Sequence, residues 1–167
     1  MTSFQILLDV LEEIYQSQLE IVEIAEHKKE ALINSDLEEL SKLIKQESSW
    51  IKKISKLEEE RVSTIKLYFK DKDAEPDNLT ITQLIDYVKS PIEKNKLIDI
   101  NQRLTKTLND IEQLNELNTQ LIEQSLEFIS NTINLITEES RQSYTYSKPT
   151  NKQINSSARS GVIDKKA

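Results

Sequence analysis

Cysteine is absent from this chain of 167 residues, glycine occurs once and proline three times. Without cysteine there are no disulfides and no thiolate metal sites, which fits a reducing compartment. Glycine and proline punctuate tight turns and bulges, so their scarcity leaves few places where strands could turn back on one another. Aromatic residues make up 5% and hydrophobic residues 37%, which predicts narrow apolar stripes instead of a thick core. No stretch approaches the roughly 20 apolar residues a spanning helix needs, and no basic region precedes an apolar segment at the N-terminus. The sequence therefore predicts neither membrane insertion nor a secretory signal. Gly161 lies close to the C-terminus, so a glycine-rich phosphate-binding loop cannot be built.

Charge is plentiful and unevenly placed. The net charge is −7, and residues 141–167 hold six basic residues and one acidic. The first 140 residues thus carry 16 basic and 28 acidic, or −12, a balance that repels phosphate backbones and argues against nucleic-acid binding. The basic residues after Arg141 are scattered among Ser, Asn and Gln, with Ile154, Ala158, Val162 and Ile163 in no helical period, as expected of a flexible basic tail over 141–167.

Helical periodicity organises the rest. From Ser3 to about Ile33, Leu7, Leu11, Ile14, Ile21, Ala25 and Leu32 recur at steps of three and four, a first amphipathic helix. A break follows at Asn34-Ser35, and Ser35 with Glu38 reads as a capping box for a second helix. Its expected seam is Leu40, Ile44, Glu47, Ile51, Ile54, Glu58, Arg61, Ile65 and Tyr68, running to Lys70 as a rod of about 52 Å. A short turn between two such helices predicts an antiparallel hairpin over 3–70. Glu47 and Arg61 belong to seam edges or ion pairs.

Residues 71–79 are polar, contain Pro76 and read as a linker. A short helix is expected over 80–89, capped by Thr80 with Gln83 three residues on. Ser90-Pro91-Ile92-Glu93 places a capping serine before a proline at the first helical position, so a long helix begins at Pro91 and runs to about 139, roughly 73 Å. The expected fold is an all-α, elongated antiparallel helical bundle or coiled coil. Residues 1–140 form its helical domain: a two-helix hairpin, a short helix and a long C-terminal helix.

The long helix carries the functional signal. Leu114, Leu117, Leu121, Ile122, Leu126, Phe128, Ile129, Ile133, Leu135 and Ile136 cover more surface than one antiparallel neighbour needs. Surplus apolar surface of this kind is a dimer interface or a dock for another helix. Asn115 and Asn118 interrupt the stripe, and polar residues in an aliphatic seam cost stability while fixing register and partner choice. Against this, chemistry is scarce. His27 sits among charged neighbours on a helix face, and the Glu12-Glu13, Glu38-Glu39 and Glu58-Glu59-Glu60 runs do not converge. No histidine or cysteine cluster has metal-ligand spacing, so neither an enzyme nor a cofactor is expected.

Two segments resemble the bacterial flagellar export chaperone family FlgN. One is Glu26-His27-Lys28-Lys29-Glu30-Ala31-Leu32-Ile33-Asn34-Ser35-Asp36-Leu37-Glu38-Glu39-Leu40, continued by Lys56-Leu57-Glu58-Glu59-Glu60-Arg61. The other runs from Leu114 to Ile129 and is similar to the family's asparagine and leucine pattern in its last helix. Thr145-Tyr146-Ser147 resembles a threonine-tyrosine element that follows that helix, and Asp164-Lys165-Lys166-Ala167 is similar to the end of some Gram-positive members. The resemblance implies a cytoplasmic, type III export chaperone for the hook-filament junction proteins FlgK and FlgL, delivering them to the flagellar export gate. Carried over with it are cargo contacts at Asn115, Asn118, Leu121, Ile122, Leu126, Phe128 and Ile129, and a gate contact at Tyr146. The competing expectation is a self-associating scaffold or adaptor, a homodimer burying the same stripe.

Overall fold

The computed structural model describes residues 2–70 and 80–145, with side chains as far as 142. The expected linker over 71–79 and the tail beyond 145 lie outside the described residues. Among the described residues the fold is all-α, with helices α1 (Ser3–Ile33), α2 (Leu37–Lys70), α3 (Ile81–Tyr87) and α4 (Pro91–Thr145). The chain divides into two compact units, Met1–Leu126 and Glu127–Ala167.

Capping side chains start the helices. Thr2 Oγ1 accepts from the Gln5 amide (3.2 Å), Thr80 Oγ1 from Gln83 (3.3 Å) and Ser90 Oγ from Glu93 (3.4 Å), each satisfying an amide that the first turn leaves without a partner. The cap of α2 differs from the expected Ser35. Asp36 Oδ1 accepts from the Glu39 amide at 3.0 Å, while Ser35 adopts a left-handed φ of 55°. Here the Asp36 amide donates to Ala31 O (2.9 Å) and the Ser35 amide to Leu32 O (3.3 Å). These two bonds close α1 in a Schellman motif, which needs a left-handed residue and finds a serine where glycine is usual.

In the first unit, α1 and α2 form the antiparallel hairpin: Phe4 meets Tyr68 near one end (6.0 Å between ring centroids), and Lys28 meets Glu47 towards the other (2.8 Å). Glu12 bonds Arg103, 91 residues ahead, and Ala25 bonds Asn118, 93 ahead. The separation hardly changes, so α4 runs parallel to α1 and the order is up, down, up. Phe4, Leu7, Leu11 and Ile14 of α1 meet Leu57, Ile65, Tyr68 and Phe69 of α2 and Leu97, Ile100 and Leu104 of α4 in the main core. Leu84 of α3 and Val88 beyond it join the same core. A smaller cluster of Ile24, Ala31 and Leu43, flanked by Leu40 and Trp50, binds the hairpin towards its turn.

The covered row of α2 departs from expectation. Leu43, Glu47, Trp50, Ile54, Leu57 and Thr64 are buried or half-buried, whereas Ile44 and Ile51 are 48% and 54% exposed. Both rows alternate by four and three and share Glu47, Ile54, Arg61 and Tyr68. Leu43, Trp50 and Leu57 supply the bulk that fills the groove beside α1, so the helix turns that row inward. Glu47 gains a partner there, accepting two bonds from Lys28 Nζ at 2.9 and 2.8 Å. Arg61 pairs with Glu58 along its own helix at 2.8 Å.

Candidate functional site

The site residues proposed from sequence lie on α4, and the structure separates them by role. Between Arg103 and Asn118, the helix is held against α1 by polar anchors. Arg103 Nη1 and Nη2 donate to both carboxylate oxygens of Glu12 (3.1 and 2.9 Å), its Nε donates to Asp99 (3.0 Å), and its guanidinium lies 4.8 Å from the Tyr15 ring centre. This fork geometry matches a carboxylate in a way lysine cannot. The Arg103 bonds hold the Glu12 carboxyl below its ordinary 4.5, with burial opposing, and the same bonds raise Arg103.

Asn118 is the second anchor. It is 3% exposed, and its amide donates to the Ala25 carbonyl at 2.9 Å. The absence of a bulky side chain at Ala25 permits this close approach. The Asn118 Oδ1 is buried with no hydrogen-bond partner, a cost of about 1–3 kcal/mol. Asn115, three residues earlier, is exposed. The two asparagines that read alike in sequence therefore act differently: Asn118 fixes α4 on α1, and Asn115 faces solvent. In sequence both asparagines fit an alternation of three and four, Asn118 with Thr107, Ile111 and Leu114 and Asn115 with Leu104, Leu108 and Ile111, so pattern alone does not separate them.

Beyond Asn118 the covering of α4 ends. Leu121 is half-buried, Ile122 exposed and Leu126 61% exposed. With a register near 92, the last residue of α1, Ile33, falls level with about residue 125. In the second unit, Phe128 is 73% exposed and Ile129, Ile133, Leu135 and Ile136 are exposed with it. These five side chains lie on a helix whose every described side chain from Glu127 to Gln142 faces solvent. Tyr146 lies outside the described residues.

A cleft of about 310 Å³ between α1 and α4 is lined by Val22, Glu26, Asp110, Gln113, Leu114 and Leu117, which offers carboxylates but no nucleophile or base held by neighbours. His27 is exposed. No group of three or more potential ligands could hold a metal among the described residues, and none of the described helices is long and apolar enough to cross a membrane.

The arrangement that remains is a braced helix ending in an uncovered apolar face, and comparison with known proteins gives it a context. The FlgN protein family matches residues 1–153. The chain belongs to the FlgN family. Uncharacterized protein YvyG of Bacillus subtilis (strain 168) is also similar, 27% identical over 147 residues, which is 88% of each chain. No solved structure matches. FlgN membership supports a general role as a flagellar export chaperone, and the FlgN chaperone family is non-enzymatic.

Proposed function

We propose that this FlgN protein shields hook-filament junction proteins of the FlgK and FlgL type in the cytoplasm, prevents their premature association and delivers them to the type III export gate. The observation that carries this reading is the solvent-exposed face of Phe128, Ile129, Ile133, Leu135 and Ile136. An amphipathic cargo helix laid on such a face buries apolar stripes from both partners. Leu121, Ile122 and Leu126 extend the same helix's contribution, and Asn115 supplies an exposed amide beside them. Asn118 serves the interface with α1. The basic residues from Arg141 onward follow the acidic chaperone domain, with Tyr146 as the gate contact, and α4 itself continues to Thr145.

Charge favours a foreign partner over a second copy on this face. Between Lys106 and Arg141 the chain has no basic residue and seven acidic ones. Two copies paired through it would oppose acidic surfaces. Ordering of the cargo consumes part of the binding energy and keeps the complex releasable. Titration calorimetry of the full chain with C-terminal segments of the junction proteins from the same organism tests the reading. One-to-one binding with a negative heat-capacity change is expected, lost in Phe128→Asp with helix content unchanged. Absence of binding by the unaltered chain overturns it.

A further inference from the structure

Ile122, Leu126, Ile129, Ile133 and Ile136 follow one another on α4 at steps of four and three, the repeat with which one helix packs along another. Each is between 42% and 61% exposed. Ser125, Thr132 and Thr137 border this row, and their hydroxyls donate to the carbonyls of Leu121, Phe128 and Ile133 at 2.8, 2.9 and 2.8 Å. A covering helix therefore leaves none of these three donors without a partner. The charge at the border is of one sign. Glu123 and Glu139 stand beside the row and Glu127 and Glu138 farther round the helix, all exposed, and no basic residue occurs between Lys106 and Arg141. Half-buried Lys29, the last basic residue of α1, falls level with about residue 121 at the register set by Glu12 and Ala25, next to Glu123. Within their own unit, Glu127, Glu138 and Glu139 share the sequence only with Arg141 and the basic residues that follow it.

We propose that this row receives a helix of another protein whose own large aliphatic residues recur at steps of four and three and are bordered by lysine or arginine. Spacing and charge select that occupant together. A second copy of the chain answers the spacing but brings the same four carboxylates, with Arg141 beyond the last residue of the row. The chain after Arg141 answers the charge, with Lys148, Lys152, Arg159, Lys165 and Lys166, but not the spacing. Its large aliphatics are Ile154, Val162 and Ile163, no two of them three or four residues apart. A basic-bordered amphipathic helix from elsewhere answers both. The proposal rests on the cargo reading of α4 and adds the chemistry by which cargo is chosen.

Fluorescence anisotropy of three synthetic peptides with the full chain tests it. Each peptide carries leucine at the repeat positions of about three heptads, bordered by lysine, by glutamine or by glutamate. The lysine peptide should bind about tenfold more tightly than the glutamine peptide, and the glutamate peptide more weakly still, a ranking that flattens as salt is raised. Glu123→Gln, Glu127→Gln, Glu138→Gln and Glu139→Gln together should abolish the preference for lysine with helix content unchanged, and Ile133→Asp should weaken all three peptides. Equal affinity for the lysine and glutamine peptides overturns the proposal, as does lysine-peptide binding indifferent to Ile133→Asp. So does a gain in affinity when the basic residues after Arg141 are replaced by glutamine, which would make that segment the occupant, or a dimer in sedimentation velocity that Ile133→Asp disperses. The C-terminal segment of a junction protein, measured alongside, separates this inference from the reading beneath it. Binding of that segment unchanged by the four glutamines overturns the inference alone. Binding of neither the segment nor any peptide overturns both, and a lysine peptide that binds where the segment does not keeps the chemistry of the row and discards the junction proteins.

Discussion

α1 and the last part of α4 are both amphipathic and both rich in leucine and isoleucine, yet their apolar residues meet opposite fates. Leu7, Leu11 and Ile14 are at most 2% exposed, while Leu126, Phe128 and Ile133 are all more than half exposed. Composition does not separate them. α1 is flanked by α2 on one side and α4 on the other, so its stripe is covered from two directions. The described side chains of α4 after Leu126 are all exposed. The lesson is that an apolar stripe becomes a core or a docking surface according to how many neighbours the topology supplies, and surplus stripe width is the sign of an absent one.

This contrast can be broken most sharply by truncation. Leu11→Ala should cost about 3–4 kcal/mol, from lost burial and the cavity left in a packed core, whereas Phe128→Ala should change stability by less than about 0.5 kcal/mol. Urea denaturation of both variants measures the difference. A similar loss in each would mean that the end of α4 is packed in solution.

Asn118→Asp probes the boundary between the two regimes. It sets a carboxylate against the Ala25 carbonyl at a site 3% exposed, with an expected loss of about 3 kcal/mol at neutral pH. Burial raises the folded-state pKa of such an acid, so the penalty is complete above that value and disappears as pH falls below the unfolded one, about 4. A penalty independent of pH would show that the site is hydrated.

Within the hairpin, Glu47→Ala leaves Lys28 without its partner in a largely covered position and should cost about 2 kcal/mol, less than a fully buried pair. A double-mutant cycle with Lys28→Ala isolates the coupling. Ser35→Gly should act in the other direction. It relieves the left-handed strain at φ 55° and should stabilise by roughly 0.5–1 kcal/mol, raising the melting temperature.

The smallest effect belongs to the Glu12 and Arg103 fork. Its carboxylate and guanidinium are 45% and 37% exposed, so solvent screening holds the contribution under about 1 kcal/mol. Glu12 is lowered from 4.5 in the folded state by its Arg103 bonds. Its contribution is therefore present above the unfolded value and lost as pH falls through the folded one. Arg103→Gln should lower the melting temperature at neutral pH by up to about 3 °C, leave it unchanged at the acid end, and so flatten the acid-side slope of melting temperature against pH.

Much of this architecture is legible in the sequence because helix ends and stripes are local. Thr80 with Gln83 and Ser90 with Pro91 mark their caps unaided, and the apolar steps of α1 match its buried face. Two matters were not local. The choice between the Leu43 row and the Ile44 row depends on which fits the groove beside α1, since both alternate by four and three. The roles of Asn115 and Asn118 depend on which face of α4 turns toward α1, an orientation set by the anchors at Glu12 and Ala25. Tyr146 falls beyond the described residues, so its role rests on the resemblance of its sequence neighbours.

The central claim, that the uncovered end of α4 receives the cargo, is tested most directly by amide hydrogen exchange with and without the C-terminal segment of a junction protein. Free protein should exchange slowly in α1 and much faster over 127–142, where every described side chain is exposed. Added cargo should slow exchange over 121–136 and leave α1 and α2 unchanged. Protection that fell on the hairpin, or none on α4, would contradict the account.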